Sequence, residues 1–171
     1  MEEEKILTSE TASEAYDAAD RSFDFVGADV ETALICEPGA DLREKIDAAV
    51  NSMGYQITAP RSVKDALKNL RYHVYNIIIV NENFSADNSA NNEVLNYLAN
   101  LNMSTRRQMF VAMISNRFRT GDNMAALHHN VDYVINIKNI DDVGQIIMSA
   151  IADTDEFYHV FKETMRKKER G

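Results

Sequence analysis

The residues best placed to do chemistry stand at the ends of apolar runs. Asn76-Ile77-Ile78-Ile79-Val80-Asn81-Glu82-Asn83-Phe84 holds four consecutive β-branched aliphatic residues that stop abruptly at polar ones. A run apolar on both faces reads as a strand buried in a parallel sheet beneath helices. Open α/β sheets bind ligands beyond the carboxyl ends of their strands, which makes Asn81 the residue to weigh. An aspartate there would offer a charged oxygen nucleophile and a metal ligand. The asparagine offers a neutral amide, able to hydrogen-bond but a poor nucleophile. Glu82 follows it and, leaving the strand, is expected to point elsewhere.

Other runs end in the same way. Ala33-Leu34-Ile35-Cys36 leads into Glu37, Met109 to Ile114 into Ser115, and Val131 to Ile135 into Asn136. They bring a thiol, a carboxylate, a hydroxyl and an amide to one end of the expected sheet. Cys36 in a strand reads as a small buried hydrophobe rather than a nucleophile. His128 and His129 are adjacent, so they do not share a helix face as i, i+4 metal ligands would. His73 and His159 are isolated. With only 6 glycines there is no Gly-rich phosphate loop. We therefore expect no catalytic residues, no metal site and no cofactor.

The elements that must position these groups follow from the hydrophobic pattern. The chain has 171 residues, 45% hydrophobic and 26% charged, enough for one domain with a sizeable core. Residues 1–29 are rich in Glu, Asp, Ala and Ser and read as an acidic, flexible arm, with Phe23 and Phe25 as possible anchors. Strands are expected at Glu31–Glu37, Tyr55–Thr58, Asn76–Val80, Met109–Ile114 and Val131–Ile135. Helices are expected from Asp41 to a stop at Gly54, from an N-cap at Ser62, across Val94–Leu101, from Asp122 to His129, and from Asp141. Strand and helix alternate about five times with short connections. The expected fold is a doubly wound α/β domain over 30–152, a five-stranded parallel sheet in the flavodoxin-like order 2-1-3-4-5.

The net charge of -9 gives no general attraction to nucleic acid or anionic lipid. The single cysteine excludes an intrachain disulfide and suits a reducing compartment. No apolar stretch approaches a membrane span, and the Met1-Glu2-Glu3-Glu4-Lys5 start is too acidic for a signal peptide. We expect a cytoplasmic protein with neither a membrane nor a nucleic-acid partner.

The order and spacing of elements over about Glu31–Ile151 resemble the receiver domain of two-component response regulators. Placed against that pattern, the family's acidic pair falls on Cys36 and Glu37, and its phosphoacceptor aspartate on Asn81. The hydroxyl position falls on Ser115, the aromatic position on Tyr133, and the lysine position on Asn136. Ile137 stands where a proline would follow. The resemblance thus implies a degenerate pocket of Cys36, Glu37, Asn81, Ser115 and Asn136. Ser115 and Tyr133 remain as a possible switch pair. Magnesium prefers hard oxygen ligands, and this set has lost one acid, the phosphoacceptor and the lysine. Lys138, two residues on, is not expected to reach back. The pattern is that of a pseudo-receiver.

The last helix outruns the resemblance. Its apolar stripe continues past Ile151 through Thr154, Phe157, Tyr158, Phe161 and Met165, and ends in Arg166-Lys167-Lys168. Residues 153–171 therefore read as a C-terminal helical extension. Either Asp153-Thr154-Asp155 starts a separate helix that folds back, or one long helix projects and packs on another chain.

Two function classes fit. The first is a non-catalytic, phosphorylation-independent protein–protein interaction module in cytoplasmic signalling, homodimeric through Phe157, Tyr158, Phe161 and Met165. It would dock through the face of the fourth helix, fifth strand and fifth helix. The alternative is a flavodoxin-like domain, small-ligand-binding or enzymatic, using the pocket at the strand carboxyl ends.

Overall fold

The computed structural model describes residues 30–84 and 91–169. The chain divides between Val30 and Glu31, and the fold is that of the part from Glu31 onward. The arm expected over 1–29, with Phe23 and Phe25, lies outside the described residues. So do the side chains of Phe157, Tyr158, Phe161 and Met165, although the backbone that carries them is described.

The elements run β1 Thr32–Cys36, α1 Ala40–Ser52, β2 Gln56–Thr58, α2 Val63–Tyr72, β3 Ile77–Asn81, α3 Glu93–Ala99 and α4 Met103–Arg106. They continue with β4 Phe110–Ser115, α5 Asn123–His129, β5 Tyr133–Asn136, a 3-10 turn Ile137–Asp142 and α6 Val143–Glu169. Five strands, all parallel, form one sheet in the order β2-β1-β3-β4-β5. This is the doubly wound architecture that the strand–helix alternation predicts.

Period-two alternation sorts the strands onto two cores. Leu34, Cys36, Ile78, Val80, Val111, Met113 and Val134 face α2, α3 and α5. Ala33, Ile35, Ile77, Ile79, Ala112, Ile114 and Ile135 face α1 and α6. The four aliphatic residues of β3 are thus buried on both sides, each contributing roughly 1.5–3 kcal/mol of apolar burial. Gly144 lets α6 close onto α1: a Cβ there would meet the Ala49 Cβ at 3.3 Å. Ser62 caps α2 as expected, accepting the Asp65 N–H at 3.1 Å.

Two local features differ from the sequence reading. The short helix α4 is additional; Asn102 caps it, accepting the Thr105 N–H at 2.9 Å. The helix expected from Asp141 is preceded by a 3-10 turn, capped by Asn136, and starts at Val143. Of the two courses expected for the C-terminal stripe, the structure takes the single long helix: α6 runs unbroken to Glu169, and Asp153-Thr154-Asp155 opens no separate helix. The reason is visible at Thr154. An N-cap hydroxyl would accept an N–H ahead of it, whereas Thr154 Oγ1 donates back to the Ala150 carbonyl at 2.8 Å and stays inside the helix.

Candidate functional site

The strand order reverses between β1 and β3, and the crevice at their carboxyl ends is where this architecture places ligands. Glu37, Asn81, Glu82 and Ser115 are all buried there. Alternation decides which meets which. Asn81 follows Ile79 onto the α1/α6 side. The β3–β4 pairing continues one residue further, through Glu82 N–H to the Ile114 carbonyl at 2.9 Å, so Glu82 follows Val80 onto the opposite side with Ser115.

On the first side Asn81 Nδ2 donates to Glu37 Oε2 at 2.8 Å. The other Glu37 oxygen accepts the Gly39 N–H at 2.9 Å. Asn81 Oδ1 accepts the Asn83 N–H at 2.9 Å, which fixes the amide orientation and points its nitrogen at Glu37. These residues do not fit a magnesium ion. One carboxylate is present, both its oxygens are engaged, and an N–H donor stands where a second anionic ligand is needed. Among the described residues no group of three His, Cys, Asp or Glu is placed to hold a metal.

Cys36 does not join this pair. Its side chain lies in the core with Leu34, Ala66 and Val80. Burial first, then the charge of Asp65, pushes its thiol far above the ordinary range. It is an inert core residue.

On the second side Ser115 Oγ donates to Glu82 Oε1 at 2.9 Å. Arg117 Nη2 reaches Glu82 Oε2 at 2.9 Å. Glu82 is 1% exposed. Burial pushes its carboxyl up, but hydrogen bonds from Arg117 and Ser115, the Arg117 charge and the Asn116 N–H outweigh that. The net effect holds it below the usual carboxylate value. Ser115 Oγ also accepts the N–H groups of Arg117 at 3.0 Å and Phe118 at 3.2 Å, folding the β4–α5 loop back on the strand end. The expectation that Glu82 leaves the Asn81 side is met, but its destination was not foreseen: it takes the Ser115 hydroxyl.

Asn136, at the position the resemblance gives to lysine, serves the same loop. Its Nδ2 donates to the Phe118 carbonyl at 2.7 Å and its Oδ1 accepts the Lys138 N–H at 2.9 Å. Lys138 itself is exposed. Tyr133 is half-buried, its hydroxyl beside Gly121, where a Cβ would stand 3.2 Å away. The Ser115 proton is already given to Glu82.

Sequence reasoning missed Asn92, which is fully buried. Its Nδ2 bonds the carbonyls of Asn81 and Glu82, both at 3.1 Å, while its Oδ1 caps α3 through Val94 and Leu95. The cap signal before Glu93 is legible in the sequence; the reach back to β3 is not.

A cleft of about 440 Å³ lies elsewhere, at the amino ends of the strands, lined among others by Glu31, Asn76, Arg107, Phe110, Asp132 and Asp155. Among the described residues no helix is long and apolar enough to cross a membrane.

Neither a protein-family model nor a curated protein matches the chain. Solved structures do match. A CheY-like response regulator receiver domain protein from Methanospirillum hungatei superposes with a TM-score of 0.57 at 13% identity, covering 74% of this chain and 98% of that one. The chemotaxis response regulator CheY4 of Vibrio cholerae gives 0.56 at 10%, covering 73% and 98%. An orphan response regulator of H. pylori gives 0.53 at 15%, covering 70% and 95%. The chain is similar to these proteins in fold, and the shared fold is the CheY-like receiver fold.

Proposed function

We propose that the chain is a pseudo-receiver: a non-catalytic module that acts in cytoplasmic signalling by binding protein partners, without being phosphorylated. One observation carries this reading. At the position of the receiver phosphoacceptor, Asn81 presents an amide that is hydrogen-bonded to the remaining acid, Glu37. An amide cannot form an acyl phosphate, and this one turns an N–H donor toward the carboxylate at the place where a cation would need a second anionic ligand. Asn136 brings no charge to balance a phosphoryl group and is bonded to Phe118 instead.

The docking face on this reading is that of α5, β5 and α6, which are the fourth helix, fifth strand and fifth helix when the additional α4 is set aside. Met124 and Leu127 on α5 and Met148 on α6 are exposed. The continuous α6 carries the stripe of Phe157, Tyr158, Phe161 and Met165 toward a second copy of the chain.

Intact mass after acetyl phosphate treatment with magnesium tests the reading. No added phosphoryl group is expected, and beryllofluoride should leave the backbone amide spectrum around Asn81 unchanged. A stable phosphoryl adduct, or a fluoride complex at Asn81, overturns it.

A further inference from the structure

The second cluster at the strand ends has a property that the Asn81–Glu37 pairing does not explain. Ser115 Oγ–H, the Arg117 guanidinium and the Asn116 N–H converge on one place, and all three are donors. Such a convergence is the composition of an anion site. The anion it holds is Glu82, delivered from the same chain by the strand alternation that sends Asn81 the other way. The carboxylate is almost wholly buried, while the Arg117 side chain covering it is 53% exposed.

We propose that Glu82 is a built-in anionic ligand, and that its occupation of this site positions the β4–α5 loop, residues 116–122. The loop has reason to respond. Its first residues fold over Ser115 Oγ, whose proton is directed by Glu82. Arg117 lies over the Phe118 ring at 4.9 Å, and Phe118 meets the His129 ring of α5 at 5.4 Å. The Phe118 carbonyl is tied to Asn136 at the end of β5. Removing the carboxylate takes the Glu82 contact from the guanidinium and the hydroxyl together, and loosens the start of the loop that leads into α5. A receptor emptied in this way should accept a small carboxylate from solution. This holds whether or not the protein is ever phosphorylated.

The test is chemical rescue read by hydrogen–deuterium exchange on the full chain. Glu82→Ala should raise amide exchange across 116–122 by about tenfold, one to two kinetic decades being the range of a lost charge-assisted bond. Sodium formate at tens of millimolar should return it toward the wild-type rate, with sodium chloride at equal ionic strength as the control. Glu82→Gln, which keeps the shape and one acceptor, should show a smaller rise and no formate response. Arg117→Ala, at a half-exposed position that cannot collapse the core, should raise exchange in the same segment without formate rescue. Unchanged exchange in Arg117→Ala overturns the proposal even if Glu82→Ala does not fold. Formate that acts equally on wild type and on Glu82→Ala, or on neither, also overturns it.

Discussion

Asn81 Nδ2 and Glu37 Oε2 stand 2.8 Å apart, a donor and an acceptor that complete each other inside the strand-end crevice. Replacing Asn81 by aspartate would set two carboxylates at that distance with no cation between them. One of them should then stay protonated to a higher pH, as like charges sharing a site do. We expect Asn81→Asp to lose about 1–3 kcal/mol at pH 7, the cost of an unmade buried bond, and to recover part of it at pH 5. Urea denaturation at the two pH values measures this. Equal stability of variant and wild type at pH 7 would show that the pair is not closed. The substitution alone should not bring efficient phosphotransfer, since Cys36 is in the core and Asn136 is neutral.

Asn92 is the other residue on which the exit from β3 depends. It satisfies two strand-end carbonyls and two helix N–H groups from a fully buried position. Asn92→Ala removes an N-cap, about 1 kcal/mol, and takes a donor from the Glu82 carbonyl, about 1–3 kcal/mol more, while the Asn81 carbonyl keeps the Phe84 N–H. Asn92→Asp keeps the cap and loses the donor, so the difference between the two variants isolates the bridge to β3. If Asn92→Asp is as stable as wild type in chemical denaturation, the bridge contributes nothing.

The Glu82 cluster also gives a pH signature. Burial, then His128 and Arg117, hold His129 below its ordinary 6.5 against the opposing pull of Glu82, and its Nε2 is buried with no hydrogen-bond partner among the described residues. Glu82 lies below its ordinary 4.5. Both folded-state values are depressed, so the unfolded chain binds more protons across each window and stability falls with acid. The His129 loss begins as pH drops below about 6.5, and the Glu82 loss as it drops below about 4.5. Asp47 is raised by burial and acts in the opposite sense, so variants must be compared with wild type rather than read alone. His129→Gln should flatten the melting temperature between pH 6.5 and 5 and leave the lower fall in place. An unchanged profile would mean that His129 is not held neutral by the fold.

What the sequence made legible follows from what alternation and spacing can carry. The apolar run at Ile77–Val80 marks a doubly buried strand, and its neighbours place Glu37, Asn81, Ser115 and Asn136 at one sheet end by pattern alone. The sorting of those residues into two clusters was not legible. It depends on the ladder continuing through Glu82 N–H to Ile114, one residue past the apolar run, and hydropathy does not report that. The Glu82–Arg117 pair spans 35 residues and leaves no local pattern. Cys36 was placed in the pocket by family register, yet its alternation with Leu34 already assigns it to the core. The helix α4 was hidden because four residues are too few to show a period.

The unbroken course of α6 bears on the assembly. Val143, Ile147 and Ala150 are buried, whereas Ala152, Asp153, Asp155 and Glu156 are exposed. The helix continues to Glu169, and a rise of about 1.5 Å per residue carries it roughly 25 Å past Ala152. Three-four spacing places Thr154, Phe157, Tyr158, Phe161 and Met165 on one face of that backbone. A second copy of the chain offers the same face, as a two-fold interface requires. Two or three aromatic residues from each copy, at roughly 1.5–3 kcal/mol apiece, offset a good part of the cost of association. We therefore expect a homodimer, with Phe157→Glu and Phe161→Glu together shifting it to monomer and lowering affinity by at least about a hundredfold. Sedimentation of the full chain, of that double variant and of a chain stopped after Ala152 provides the measurement. A full chain that is monomeric at tens of micromolar refutes the dimer. A dimer that survives both the truncation and the double variant moves the interface to the α5, β5 and α6 face, where Met124, Leu127 and Met148 become the residues to substitute.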